Sequence, residues 1–174
     1  MIRRKPGAAW GAKLSDIIVR CAGAEDVAVM SAVLTDSITQ LCTADHRGDV
    51  QIIAGWTRNK TPQSVALMLT NPGLTMFVAE ADGVVGAVGA INGDDVIGLN
   101  YVAPAMRLRG LSRALLAHME GEMAARGTRL GRLTSTQTAL RFYRACGWQE
   151  AGPPETGHNV PGYPMVKQLV AASS

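Results

Sequence analysis

The stretch Leu99-Asn-Tyr-Val-Ala-Pro-Ala-Met-Arg-Leu-Arg-Gly-Leu-Ser-Arg-Ala-Leu-Leu116 decides the fold. It reads as a strand, a proline corner, a basic glycine turn and a helix. Val96, Ile97, Leu99, Tyr101 and Val102 are β-favouring residues that bury well in a sheet. Pro104 cannot donate to a ladder, so the strand stops before it. From Leu111 onward, Ala114, Leu115, His118, Met119 and Met123 recur at helical spacing. Gly110 therefore stands at the mouth of a helix, with Arg107, Arg109 and Arg113 around it.

Such a mouth binds anions. The first four N–H groups of a helix lack partners within it, and the macrodipole adds partial positive charge there. Glycine lets a ligand approach the backbone because no Cβ intervenes. Ser112 adds a hydroxyl donor, and arginines fork onto phosphate oxygens. The expected ligand of the amides from Leu108 to Ser112 is a pyrophosphate. The competing reading is an ordinary helix start with solvated arginines, since short glycine motifs have many false positives. The turn has neither the Gly-Lys-Ser/Thr of a Walker loop nor the Gly-x-Gly-x-x-Gly of a dinucleotide site.

Upstream, Thr75 to Ala81, Val84 to Ile91 and Val96 to Val102 read as strands. Asp82-Gly83 and Asn92-Gly93 join them as hairpin turns, because both positions of such turns need positive φ. An antiparallel meander thus feeds the anion turn. Gly86 and Gly89 weaken its middle strand but admit the close approach of another backbone. Before it come a strand over Asp16 to Cys21 and a helix running from Ala24-Glu25-Asp26 to Leu41. A polar loop from Thr43 to Gly48 follows, then a short helix from Val50 to Arg58 and a helix opened by Thr61 and Pro62.

Downstream, the helix from Leu111 ends at Arg126-Gly127, and Leu130 to Ser135 is a strand. A helix separates it from the strand ending at Val102, so the two are expected to run parallel with a right-handed crossover. Thr136 to Cys146 reads as a helix stopped by Gly147. Trp148 to Ala151 and Tyr163 to Leu169 make a final antiparallel pair, and the proline-rich loop Gly152 to Gly162 between them is expected to be mobile or ligand-facing.

Composition bounds the class. A chain of 174 residues, 47% hydrophobic and 18% charged, suits one globular domain, with residues 1–13 as a tail and 14–172 as the domain. The net charge of +3 is too small to argue for nucleic acid. The arginines nevertheless concentrate in the C-terminal half, where phosphate would bind. The longest apolar stretch, Val84 to Ile91, is glycine-broken and too short to span a membrane. Cys21, Cys42 and Cys146 are scattered without metal spacing, which suggests free thiols in a reducing compartment and a cytoplasmic protein.

Two motifs carry a resemblance. Arg107-x-x-Gly110-x-Ser112, preceded by Tyr101-Val102-x-Pro104, resembles the Arg/Gln-x-x-Gly-x-Gly/Ala turn of the GNAT N-acetyltransferase superfamily. Ala139-x-x-Phe142-Tyr143-x-x-x-Gly147-Trp148 resembles its Ala-x-x-Phe-Tyr-x-x-x-Gly-Phe segment. Together at this separation they are far more specific than either alone. The resemblance implies an α/β acyl-CoA N-acyltransferase fold, a mixed and mostly antiparallel sheet of about six to seven strands flanked by helices.

It also implies acetyl-CoA as co-substrate, held by Arg107, Leu108, Arg109, Gly110, Leu111 and Ser112. Tyr101 and Val102 would act through backbone groups, on a strand that splays from its neighbour so that the pantetheine arm binds like an added strand. An N–H near Val102 would polarise the acetyl carbonyl. Thr136 stands where many relatives carry Asn; its hydroxyl suits a helix cap or a cofactor contact. Tyr143 is implied as the general acid that protonates the departing thiolate. A phenol of pKa about 10 and a thiol of about 8.5 exchange a proton at low cost. Without the motif, Tyr143 beside Phe142 reads as core.

The general base is less defined. Glu80 ranks first, ahead of Asp94, Asp95, His46 and His158, although the Asp pair also suits turn support and a lone loop His is usually a surface residue. His46 and Asn100 are the candidate acceptor-binding residues; Asn100 is polar where an apolar residue is expected. Cys42 to Asn59 corresponds in order to the segment that shapes the acceptor pocket in the family. The implied reaction is direct transfer of acetyl to a primary amine of a small molecule or peptide in a ternary complex, without a metal. The alternative is a non-catalytic acyl-CoA-binding regulatory module. Neither nucleic acid nor a membrane is an expected partner, and a homodimer is left open.

Overall fold

The framework is a meander of β2 (Leu74–Ala81), β3 (Val84–Asn92) and β4 (Val96–Val102). The computed structural model describes residues 16–157 and 160–170; the tail expected over residues 1–13 lies outside them. Asp82 and Gly83 take φ of 54° and 75°, the left-handed pair that the first hairpin requires. On one side, β1 (Ile17–Cys21) adds antiparallel to β2. On the other, β4 pairs in parallel with β5 (Leu130–Ser135), reached through the crossover helix α5 (Leu111–Ala125). The remaining strands, β6 (Gln149–Glu150), β7 (Glu155–Gly157) and β8 (Val160–Gln168), complete a sheet in the order β1-β2-β3-β4-β5-β8-β6, with β7 on β8.

The sheet has eight strands, one more than expected. The addition is the β7–β8 hairpin, which pairs Glu155 with Gly162 and Thr156 with Pro161 inside the segment expected to be a loop. Its prolines hide the strand in the sequence, yet Pro161 is tolerated at an edge where no donor is needed. Thr43 to His46, expected as loop, forms one helical turn, α2, closed by Arg47 at φ 51°. The predicted helix from Thr136 begins later, as α6 (Leu140–Ala145), because the Ala139 N–H donates to Thr136 Oγ1 at 3.2 Å and spends residues 136–139 on a capping turn.

Alternation along β2 sorts the core into two layers. Phe77, Ala79 and Ala81 face α5, whose Leu111, Leu115, Leu116, Met119 and Met123 are fully buried. Met76 and Val78 face the other layer, where α1 (Val27–Leu41) and α4 (Pro62–Leu69) contribute Met30, Leu34 and Val65. Each such side chain stabilises by about 1.5–3 kcal/mol. The short helix α3 (Val50–Thr57) precedes α4 and is capped by Asp49, which accepts from the Gln51 and Ile52 N–H groups. Gly86 and Gly89 make room for side chains rather than for another backbone. A Cβ on Gly86 would stand 2.8 Å from Met106 Cγ, and one on Gly89 would stand 2.9 Å from Met119 Sδ.

The sheet splits at its parallel pair. β4 and β5 match only at Val96 with Arg132 and at Ile97 with Leu133. Beyond that point β4 stays with β3 as far as Val102, while β5 stays with β8 as far as Ser135. Gly98 is the extra residue at the break, since Ile91 opposes Ile97 and Ala90 opposes Leu99. This bulge turns β4 away from β5 and opens a wedge at their C-terminal ends.

Candidate functional site

A cavity of about 410 Å³ occupies this wedge. Residues 98–102 of β4 and Thr134 of β5 form its sides, the turn before α5 its mouth, and Thr136, Thr138, Ala139, Phe142 and Tyr143 another wall. Ser37, Leu41 and Cys42 close it from the end of α1.

The mouth has the backbone that the sequence calls for. Pro104 to Met106 make a short helical turn, and Arg107 returns to extended geometry. Leu108 then takes φ 61° and Gly110 φ 90°, both left-handed. Gly110 is the N-cap of α5, and no side chain caps that helix. Its first-turn N–H groups therefore keep their donor capacity for a ligand. A left-handed leucine costs about 1–2 kcal/mol, and Leu108 is 98% exposed, so packing does not repay that strain. Strain of this kind clusters at binding sites. Arg107, Arg113 and Ser112 line the cavity beside the mouth.

Tyr143 is buried in the far wall, with Phe142 at 5.2 Å and Trp148 at 6.2 Å in edge-on ring contacts. Burial pushes its phenol well above the ordinary value; the hydrogen bond with the Asn100 amide pulls the other way, and Tyr101 and Cys146 add to the rise. The Tyr101 phenol is likewise pushed up to about 12, chiefly by burial. Both hydroxyls therefore hold their protons at neutral pH. Asn100 Oδ1, buried in the same place, has no hydrogen-bond partner among the described residues.

The acetyltransferase (GNAT) domain family matches residues 38–169. The chain belongs to the GNAT acetyltransferase family. Its fold is shared by a GCN5-related N-acetyltransferase from Rhodopseudomonas palustris at 23% identity and a TM-score of 0.79, covering 89% of this chain and 97% of that one. The PaiA N-acetyltransferase from Thermoplasma acidophilum, solved in complex with coenzyme A, is 17% identical with a TM-score of 0.71, over 88% and 99% of the two chains. The yncA protein from Salmonella typhimurium, solved with acetyl-CoA, is 19% identical with a TM-score of 0.61, over 92% and 98%. No curated protein sequence matches the chain.

Within this GNAT domain, most of the expected site residues meet at the cavity: Asn100, Tyr101, Val102, Arg107, Leu108, Gly110, Leu111, Ser112, Thr136 and Tyr143 all line it. Arg109 does not. Its guanidinium turns outward to Asp82 at 2.8 Å and to Met106 Sδ at 3.1 Å, tying the turn to the β2–β3 hairpin. Thr136 caps the turn before α6 and also lines the cavity.

Glu80 stands outside the cavity, on β2 opposite Ile18, and faces Arg20 at 3.5 Å. His46 is not among the cavity residues either. It is buried with both ring nitrogens engaged: Nε2 donates to the Ile38 carbonyl at 3.1 Å, and Nδ1 accepts from the Gly48 N–H at 3.0 Å. Asp95 pairs with Arg132, and the Asp94 carbonyl accepts from Thr128 Oγ1 at 2.7 Å, so both support the β3–β4 turn region. His158 lies outside the described residues. No carboxylate or imidazole lines the cavity among the described residues, and none of those residues form a metal-binding cluster.

The residue that sequence reasoning missed is Asp45. It is buried on α2 and accepts from the Gln137 N–H at 2.7 Å, the Thr138 N–H at 3.2 Å and Thr138 Oγ1 at 2.5 Å. It thereby clamps the turn before α6 to the wall that carries Cys42. An acid three residues after a buried cysteine gives no local sign of a partner so far along the chain.

Proposed function

We propose that the wedge binds acetyl-CoA and that the protein transfers acetyl to a primary amine of a small molecule or peptide in a ternary complex. The observation that carries this reading is the loss of β4–β5 pairing after Ile97 and Leu133, directly beside the uncapped mouth of α5. The residues present fit the group: the amides of Leu108 to Ser112 with Arg107 and Arg113 would hold a diphosphate, and the strand edge at Tyr101 and Val102 would take an extended amide arm. When bound, the thioester supplies an activated acetyl group.

The chain's own residues supply the rest. The N–H groups of the α5 mouth and the arginines hold negative charge at a fixed place. An N–H near Val102 stabilises a developing oxyanion. Tyr143 Oη, kept protonated by burial, is the proton donor of the site. The amine's own proton has no carboxylate or imidazole to receive it among the lining residues described. Neutralising an alkylammonium of pKa 10.4 at pH 7 costs about 4–5 kcal/mol, so the proton leaves through water or the amine arrives neutral. The scattered free thiols support a cytoplasmic location for this reaction.

Isothermal titration with coenzyme A tests the reading. The wild type should bind, and Gly110→Glu, whose melting temperature is recorded alongside, should lose at least tenfold in affinity; equal affinity contradicts it. Thiol release with an amine panel separates an enzyme from a non-catalytic acyl-CoA-binding module.

A further inference from the structure

The wall that α1 contributes is unlike the mouth. Around it stand Ser37, Leu41, Cys42, Leu99, Tyr101 and Thr138. None of them carries charge at neutral pH: burial pushes the Cys42 thiol up to about 12 and the Tyr101 phenol equally high. The charged side chains lining the cavity among the described residues are Arg107 and Arg113, both cationic. An ammonium group brought here would lose its hydration and meet no carboxylate on the lining; the Asp45 carboxylate stands behind Thr138 and Cys42, with its oxygens already accepting from three donors.

The Tyr143 side of the cavity holds the buried, unpartnered Oδ1 of Asn100. An orphaned carbonyl oxygen beside Tyr143 is costly unless a donor reaches it. Leu99 and Tyr101 point to the opposite face of β4 and pack towards α1, so Asn100 faces Tyr143.

Resting on the acetyl-transfer reading, we propose that the acceptor is a weakly basic amine on an apolar body, of the arylamine class, which enters uncharged and donates an N–H to Asn100 Oδ1. Such an acceptor fits a cavity whose lining, among the described residues, offers no carboxylate or imidazole to take a proton, because no proton has to be removed before attack. Its nitrogen lone pair forms the new C–N bond as the C–S bond breaks; Tyr143 Oη would protonate the departing sulfur, and the proton the nitrogen loses would pass to water, from which the phenol is reprotonated. Polyamines and aminoglycosides, cationic at neutral pH, are expected to be poorer acceptors.

The test measures thiol release from acetyl-CoA with aniline, benzylamine, spermidine and kanamycin. Aniline and benzylamine have similar bulk and differ in charge at neutral pH. The proposal expects kcat/KM for aniline at pH 7 to exceed that of each other amine at least tenfold, with a flat rate from pH 6.5 to 8.5. Benzylamine should instead gain rate with pH as its free base grows. Asn100→Leu, with Asn100→Ser as the smaller change, should raise the aniline KM at least tenfold while the acetyl-CoA KM holds. Preference for spermidine or kanamycin would overturn the proposal. A rise in the acetyl-CoA KM alone would overturn it too, assigning Asn100 to the coenzyme. Coenzyme A binding at the α5 mouth without thiol release to any amine would sink the acceptor class and the transferase reading while leaving the binding site intact.

Discussion

Asp45 Oδ2 lies 2.5 Å from Thr138 Oγ1, although the two residues are 93 positions apart. The same carboxylate accepts from the Gln137 and Thr138 N–H groups. It is the fastener between the α1–α2 corner and the turn that launches α6, one helical turn before Tyr143, whose N–H donates to the Ala139 carbonyl at 3.0 Å. Asp45→Ala leaves three donors without their acceptor and is expected to lower stability by about 2–4 kcal/mol. The shift of the urea midpoint at constant m-value measures it. Asp45→Asn, which retains one acceptor oxygen, should fall between.

Tyr143→Phe removes one oxygen from a buried ring. Coenzyme A affinity should hold, and turnover should fall by about 10²-fold if the hydroxyl is the proton donor. Because burial raises the Tyr143 pKa, the group stays protonated throughout the alkaline range. The kcat profile should therefore show no descending limb from this phenol up to pH 10. A limb at ordinary phenol values that vanishes in Tyr143→Phe would contradict the burial argument.

Asp26 couples stability to pH. Arg20 donates to its two oxygens at 2.7 and 2.9 Å and the Gly23 N–H donates at 2.8 Å, so its carboxyl is held below the usual range, chiefly by the Arg20 bond. A depressed folded pKa gives stability that is present above the unfolded value of about 3.9 and lost as pH falls through the folded value. Asp26→Asn should be less stable than the wild type by about 1–3 kcal/mol at pH 7. That difference should shrink as pH is lowered below about 4, as read by denaturant unfolding at a series of pH values.

Gly86 tests the packing under the mouth. A Cβ there would stand 2.8 Å from Met106 Cγ and 2.9 Å from Leu111 Cδ2, both on cavity-lining residues. Gly86→Ala is expected to cost about 1–3 kcal/mol through overpacking and to weaken coenzyme A binding by shifting the turn. Calorimetric melting and titration on the same sample measure both effects.

The parts legible in sequence are those whose cause is local. The strand before Pro104, the left-handed Gly110 and the apolar stripe of α5 each follow from a few adjacent residues, and the first hairpin turn follows from Asp82-Gly83; at the second, Asn92 stays in β3 opposite Val96 and only Gly93 of the expected pair is left-handed. What escaped depends on distant partners. Arg109 belongs with the arginines around the turn by sequence, yet Asp82, 27 positions away, takes it out of the cavity. Glu80 faces Arg20 across two strands, and backbone groups occupy both nitrogens of His46. The bulge at Gly98, which opens the wedge, is a matter of register between β3 and β4, and no single residue announces it.

The central claim is that unpaired amides where Gly110 meets α5 hold the diphosphate of a coenzyme A thioester, with its arm along β4. A crystal structure of the complex with coenzyme A measures this most directly. The account predicts phosphate oxygens within hydrogen-bond distance of the N–H groups of Leu108 to Ser112, and the thiol end in the wedge near Tyr143. A coenzyme seated elsewhere, with this mouth left to solvent, would contradict it.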